Sequence, residues 1–115
     1  MRRVVISGVG IVSSIGSTKG DVLQSLKNGT SGITRAEEYA ELNFKCQVFG
    51  RPEVDLDALV DKRARRFMGE GAAWNYVAMA QAIEDAKLGE DEISDPMTGL
   101  VMGSGGPSTR VIVEA

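Results

Sequence analysis

Four features of this sequence are of a kind that could do chemistry. They are a glycine-serine loop at residues 8–13, a second glycine loop at 103–106, a single cysteine, and a run of four cations at residues 62–66. The chain contains no histidine. That absence removes Ser-His and Cys-His nucleophile pairs and most metal-ligand sets from this polypeptide. Cys46 sits in Phe44-Lys45-Cys46-Gln47-Val48 without a histidine to lower its thiol pKa. Lys45 is adjacent, but on an extended segment it points to the opposite face. Cys46 therefore reads as an inert thiol.

Gly8-Val9-Gly10-Ile11-Val12-Ser13 resembles the dinucleotide fingerprint G-x-G-x-x-G with serine in the last place. In that motif the glycines make a tight turn and a helix N-terminus approaches a pyrophosphate. Here the loop continues through Ser14, Ile15, Gly16 and Ser17, and the acidic residue expected further on is missing. A structural loop is the better reading, with a nucleotide-binding α/β domain as the alternative. Gly103-Ser104-Gly105-Gly106 is suited to cradling an anion through backbone amides, but it lacks the lysine and the spacing of a P-loop. Glycines there also let a ligand or another backbone approach closely.

Lys62-Arg63-Ala64-Arg65-Arg66 concentrates positive charge in a chain whose net charge is -3. On a helix, positions 62 and 66 share a face and 63 lies beside it. Two readings stay open on residue type alone: a solvated charged face, or a docking patch for an acidic partner whose charge speeds association and fixes orientation.

Around these features the elements can be placed. Arg3 to Ser7 reads as a buried strand, and Gly99 to Met102 as a second. A helix is predicted over Asp21 to Lys27, with Val22, Leu23 and Leu26 on its apolar face and Asn28-Gly29 ending it. Thr34 and Glu37 fit a capping box for a short helix reaching about Leu42. Phe44 to Val48 looks extended, and Asp55 is placed to cap a short turn through Leu59 and Val60. From Gly71 to Lys87 an alanine-rich helix of roughly 25 Å is predicted, with Gly89 as its C-cap. Its apolar residues lie almost all round, so it is expected to be buried on most sides by something larger than this chain. Asp91 to Pro96 reads as an acidic loop. Arg110 to Ala115 begins an apolar pattern without a cap or linker, and the chain reads as cut there. Strand and helix alternation gives an α/β class, with strand-helix-strand order suited to parallel pairing.

Composition bounds the function. At 115 residues, 43% hydrophobic and 25% charged, the sequence suits one small soluble domain. With pI near 4.9 it is not a general nucleic-acid binder. One cysteine forms no intrachain disulfide, which suits a reducing compartment. No apolar run approaches the roughly 20 residues of a membrane span. The first residues, MRRVVISGVGIVSSIG, are broken by glycine and serine and read as a strand, not a signal peptide. Asn28-Gly29-Thr30 fits a glycosylation sequon, but the turn reading is preferred.

From RRVVISGVGIVSSIG through SLKNGTSGIT, RRFM at 65–68, AMAQAIEDAKL and GLVMGSGGPS, the order and spacing resemble the start of the β-ketoacyl-acyl carrier protein synthases. IVSSIG and the paired Gly105-Gly106 look more like the type I enzyme than type II, where a bulkier residue commonly stands at the position of Gly106. The resemblance implies a thiolase-like α/β fold of layered α-β-α-β-α type, with residues 1–115 forming the N-terminal part of the first of two similar halves. It implies decarboxylative Claisen condensation of acyl groups with malonyl-acyl carrier protein, no cofactor or metal, a homodimer and a cytoplasmic location. The nucleophilic cysteine and two histidines of that family are expected beyond this chain, and Cys46 does not match the nucleophile motif. Lys62, Arg63 and Arg66 match the basic patch that meets acyl carrier protein. Arg65 falls at a usually apolar position and is left out. Gly106 matches the floor of the acyl-chain pocket, and Pro107 departs from a more usual glycine, which implies a stiffer loop. A non-catalytic partner subunit of a condensing-enzyme pair is the second reading that this resemblance allows.

Overall fold

The computed structural model describes residues 2–106 and 108–114; Pro107 and its expected effect on the loop lie outside the described residues. The chain divides into two units, one of residues 11–55 and one of residues 2–10 with 56 onwards.

In the 11–55 unit, helix α1 (Lys19–Asn28) forms where the sequence predicts it. Thr18 caps it: the hydroxyl accepts the Asp21 amide and donates to the Asp21 carboxylate at 2.7 Å. Gly29 ends it at φ 65°, the left-handed conformation that glycine adopts without a Cβ penalty. Of the three predicted apolar residues only Val22 is buried; Leu23 and Leu26 are exposed. Strands β1 (Ile33–Arg35) and β2 (Val48–Gly50) pair antiparallel, Thr34 opposite Phe49. Helix α2 (Glu37–Glu41) fills the connection between them.

The expected Thr34–Glu37 capping box does not form. Thr34 is held in the β1–β2 ladder, and Ala36 occupies the N-cap with no side-chain hydrogen bond. Pairing with β2 is available to Thr34 only in three dimensions, and it displaces the local signal. The predicted extended stretch 44–48 overlaps β2 only at its end. Tyr39 packs edge-on against Phe44, ring centroids 5.5 Å apart, and lies 6.1 Å from Phe49. Of these, Ala36 is buried, Tyr39 and Phe49 are half-buried and Phe44 is exposed, so the aromatic cluster only partly shields the hairpin.

The other unit is organised by helix α5 (Glu70–Ala86), within about a residue of its predicted span. Helix α3 (Leu56–Leu59) packs on it, and Leu56, Val60, Ala73 and Val77 are buried. Residues 2–10 also approach α5. A Cβ on Gly8 would stand 2.6 Å from the Ala86 nitrogen, and one on Gly10 would stand 2.7 Å from the Ala82 nitrogen. Glycines two apart on an extended segment face one way, and alanines four apart on a helix form one ridge. The two backbones therefore meet closely, with only the Ala86 methyl group beside Gly8. The Val9 amide donates to Asp85 Oδ2 at 3.0 Å and fixes the segment lengthwise.

Three expectations need correction here. Residues 3–7 and 99–102 form no strand, and Val4, Ile6 and Val101 are 95%, 87% and 94% exposed. An interior strand needs hydrogen-bonding neighbours about 4.8 Å away on each side, and among the described residues neither segment has one. Their apolar pattern is therefore present without the ladder that would bury it. Gly89 does not cap α5; Lys87 does, at φ 57°, with its amide and that of Leu88 bonded back to Ile83 and Glu84 carbonyls. Gly89 instead opens helix α6 (Glu90–Ile93), its amide donating to the Glu92 carboxylate at 2.9 Å. That helix lies where an acidic loop was expected. Helix α7 (Thr109–Glu114) takes up the last described residues.

Ala73 and Val77 are the only described residues of α5 that are buried. The expectation that this helix is surrounded on most sides is not met by the chain itself. The 115-residue polypeptide alone is expected to bind the dye ANS and to give a calorimetric melt without a sharp cooperative peak. A single steep transition with no dye binding would contradict this account.

Candidate functional site

The cation run falls on helix α4 (Lys62–Arg65), a single turn that depends on its cap. Asp61 accepts hydrogen bonds from the amides of Arg63 at 2.9 Å and Ala64 at 3.3 Å. Its carboxylate suits the positive end of the helix dipole, where Lys62 and Arg63 by themselves would be unfavourable. The turn continues through Arg66, which keeps helical dihedrals. Lys62 and Arg66 therefore share a face, as their spacing predicts, and Arg63 lies beside it.

Lys62, Arg63 and Arg66 are all exposed. The Arg66 guanidinium lies 5.9 Å from the Phe67 ring centroid, a cation–π contact that holds the charge at the surface. Arg65 behaves differently. It is half-buried, and its Nη1 donates to the Met68 carbonyl at 2.6 Å. Its Nε is buried with no hydrogen-bond partner. The structure thus separates half-buried Arg65 from the three exposed cations.

The loop carrying Gly106 forms one wall of a groove of about 520 Å³. The N-terminal turns of α5 form a second wall through Gly69, Gly71, Ala72 and Asn75, and Val111 and Ile112 of α7 close a third. Gly106 is exposed, and a Cβ there would meet nothing within 4 Å. Ser104 braces the loop: its hydroxyl donates to the Gly106 carbonyl at 2.9 Å and accepts the Gly106 amide at 3.4 Å. One amide of the supposed anion cradle is thereby already engaged.

The dinucleotide reading of Gly8 and Gly10 loses its basis in this geometry. Both glycines are spent on backbone contact with α5, so neither is turned toward a phosphate. Cys46 lies in the 11–55 unit, exposed, its thiol donating to the Val48 carbonyl at 3.5 Å.

A family model described as the β-ketoacyl synthase N-terminal domain matches residues 1–114. The chain belongs to the β-ketoacyl synthase family. Among curated relatives of this synthase domain, the 3-oxoacyl-[acyl-carrier-protein] synthase 1 of Haemophilus influenzae is 49% identical over 105 residues, which cover 91% of this chain and 26% of that protein. The synthase 1 of Escherichia coli K12 is 41% identical over 96% of the chain and 27% of its own length. A synthase 2 from Synechocystis is 31% identical over 96% of the chain. The higher identity to these synthase 1 relatives agrees with the type I likeness of IVSSIG and Gly105-Gly106. The synthase-family chain spans about a quarter of the length of the curated relatives it matches.

Two features of the site escaped the sequence reading. Asp61 as the cap of α4 was legible as an acidic residue directly before a helical cation run. The wall formed by Gly69, Gly71 and Ala72 had no local signal, because Gly71 and Ala72 read only as the start of a helix and Gly69 fell before it. Asp61→Ala is expected to cost α4 about 1 kcal/mol. The check is faster hydrogen exchange at the Arg63 and Ala64 amides, with exchange across the centre of α5 unchanged.

Proposed function

We propose that the protein is part of a 3-oxoacyl-[acyl-carrier-protein] synthase that elongates acyl chains by decarboxylative Claisen condensation with malonyl-acyl carrier protein. In this reading an acyl group passes from carrier thioester to a cysteine thiolate. Malonyl-carrier thioester then loses CO₂, and the carbanion attacks the acyl thioester, expelling the thiolate. Oxyanion stabilisation by backbone amides and assistance from histidines belong to residues outside this chain. This chain supplies the docking cations Lys62, Arg63 and Arg66 for the acidic carrier, and Gly106 on the acyl-chain pocket. No cofactor enters the reaction.

The observation that carries the proposal is the match to the family domain along residues 1–114, joined to three exposed cations on a capped turn. A thiolase-like layered fold, with this chain as the N-terminal part of its first half, accounts for the open faces of α5 and the unpaired segments 3–7 and 99–102. A homodimer and a cytoplasmic location go with the same reading. No helix among the described residues is long and apolar enough to cross a membrane.

Reversing the charge of Lys62, Arg63 and Arg66 to glutamate in the full-length synthase is expected to raise the Kd for acyl carrier protein about tenfold or more at low salt. The difference should shrink as ionic strength rises and the Debye length falls toward about 3 Å. Unchanged affinity in dilute buffer would remove the patch from docking. Gly106→Ile is expected to slow condensation of long acyl chains while sparing short ones, read as the product chain-length profile. An unaltered profile would remove Gly106 from the pocket.

A further inference from the structure

Gly71 is a glycine that the fold does not require. It is the second residue of α5, in a stretch otherwise rich in alanine. Within a helix, glycine is less favourable than alanine by up to about 1 kcal/mol. Several glycines of the chain have a visible reason. Gly8 and Gly10 meet a helix backbone, Gly29 needs positive φ, and a Cβ on Gly69 would press to 3.2 Å from Val111 Cγ2. Gly71 does not have positive φ, and a Cβ there would find nothing within 4 Å. Gly99, Gly103, Gly105 and Gly106 share that openness, and of these Gly103 and Gly106 line one groove with Gly71.

Among the described residues the lining of that groove contains no charged residue, although a quarter of the chain is charged. Met102, Val111 and Ile112 supply apolar surface, and Asn75 is tied back by its Nδ2 donating to the Gly71 carbonyl at 3.0 Å. Ser104 and Ser108 add hydroxyls, Ser104 already engaged with Gly106, and the apolar part of the lining suits an uncharged, flexible hydrocarbon. We propose that Gly71 is a specificity-determining residue: it leaves open the helix side of the groove, as Gly106 leaves open the loop side, so that an acyl chain lies between them. This rests on the assignment of Gly106 to the acyl pocket made above. Adding a side chain at 71 then narrows the same channel from the opposite wall.

The test uses the full-length synthase with Gly71→Leu, Gly71→Ala and Gly106→Ile. kcat/KM is compared for dodecanoyl and butanoyl carrier thioesters, and Tm is recorded for each variant. Gly71→Leu is expected to lower the dodecanoyl-to-butanoyl ratio about tenfold or more, the scale of discrimination that a few methylenes give in a fitted pocket. Gly71→Ala is expected to lower it less and to keep or raise Tm. If Gly106→Ile shifts the ratio and Gly71→Leu does not, the role of Gly71 is overturned while the pocket stands. If neither shifts it, the pocket assignment falls as well. Equal losses for both acyl groups with a lowered Tm would mean that Gly71 abuts protein, which also overturns the inference. Should Gly71→Leu fail to fold, Ala72→Leu on the same wall is judged by the same ratio.

Discussion

Helix α5 can receive the first residues of the chain only because two backbones are allowed to touch. Gly8 and Gly10 remove the side chains on one partner, and Ala78, Ala82 and Ala86 keep the other nearly bare. Any Cβ on the glycines would stand closer to main-chain atoms than real contacts permit, and main-chain atoms of a helix cannot step aside. The hydrogen bond from Val9 to Asp85 then sets the register. Everything else in that unit takes its position from the same helix: α3 on its buried residues Ala73 and Val77, the groove at its N-terminal turns, and α6 directly after its left-handed end.

That arrangement also explains how one polypeptide carries two very different surfaces. The cations of α4 are held out in solvent by a one-turn helix whose stability rests largely on the Asp61 carboxylate. The described lining of the groove instead carries no charge and combines glycines and aliphatic residues with Asn75, Ser104 and Ser108. Long-range charge suits the recognition of a macromolecular carrier, which must be steered and oriented before it docks. Shape and lack of charge suit a hydrocarbon, which offers no polar group to read. On the function proposed above, the two surfaces would divide the recognition of an acyl-carrier thioester between its protein and its lipid parts.

Legibility in the sequence followed how local each cause was. Helix α1 and its Gly29 end, the span of α5, and the shared face of Lys62 and Arg66 depend on neighbours within a few residues, and all were readable. Thr34 was misread because its partner Phe49 is fifteen positions away and outcompetes a cap. Gly89 was misread because Lys87 already adopts the left-handed turn that a glycine would have favoured. The apolar runs at 3–7 and 99–102 have the composition of strands, yet strand formation is a property of pairs, and a composition cannot supply the partner. The glycine wall of the groove was invisible for a similar reason: residues 69, 71, 106 and 111 meet only after the chain has folded.

The bond between Val9 and Asp85 joins residues 76 positions apart. A ribosome adding about 5–20 residues per second therefore leaves the N-terminal segment waiting roughly 4–15 s for its helix to be made. During that interval Gly8, Val9 and Gly10 lack the helix they pack against, while the hairpin of residues 33–50, whose partners lie close along the chain, is already free to form. Synthesis from the N-terminus thus lets the hairpin precede the contact between the first residues and α5, although those residues leave the ribosome first.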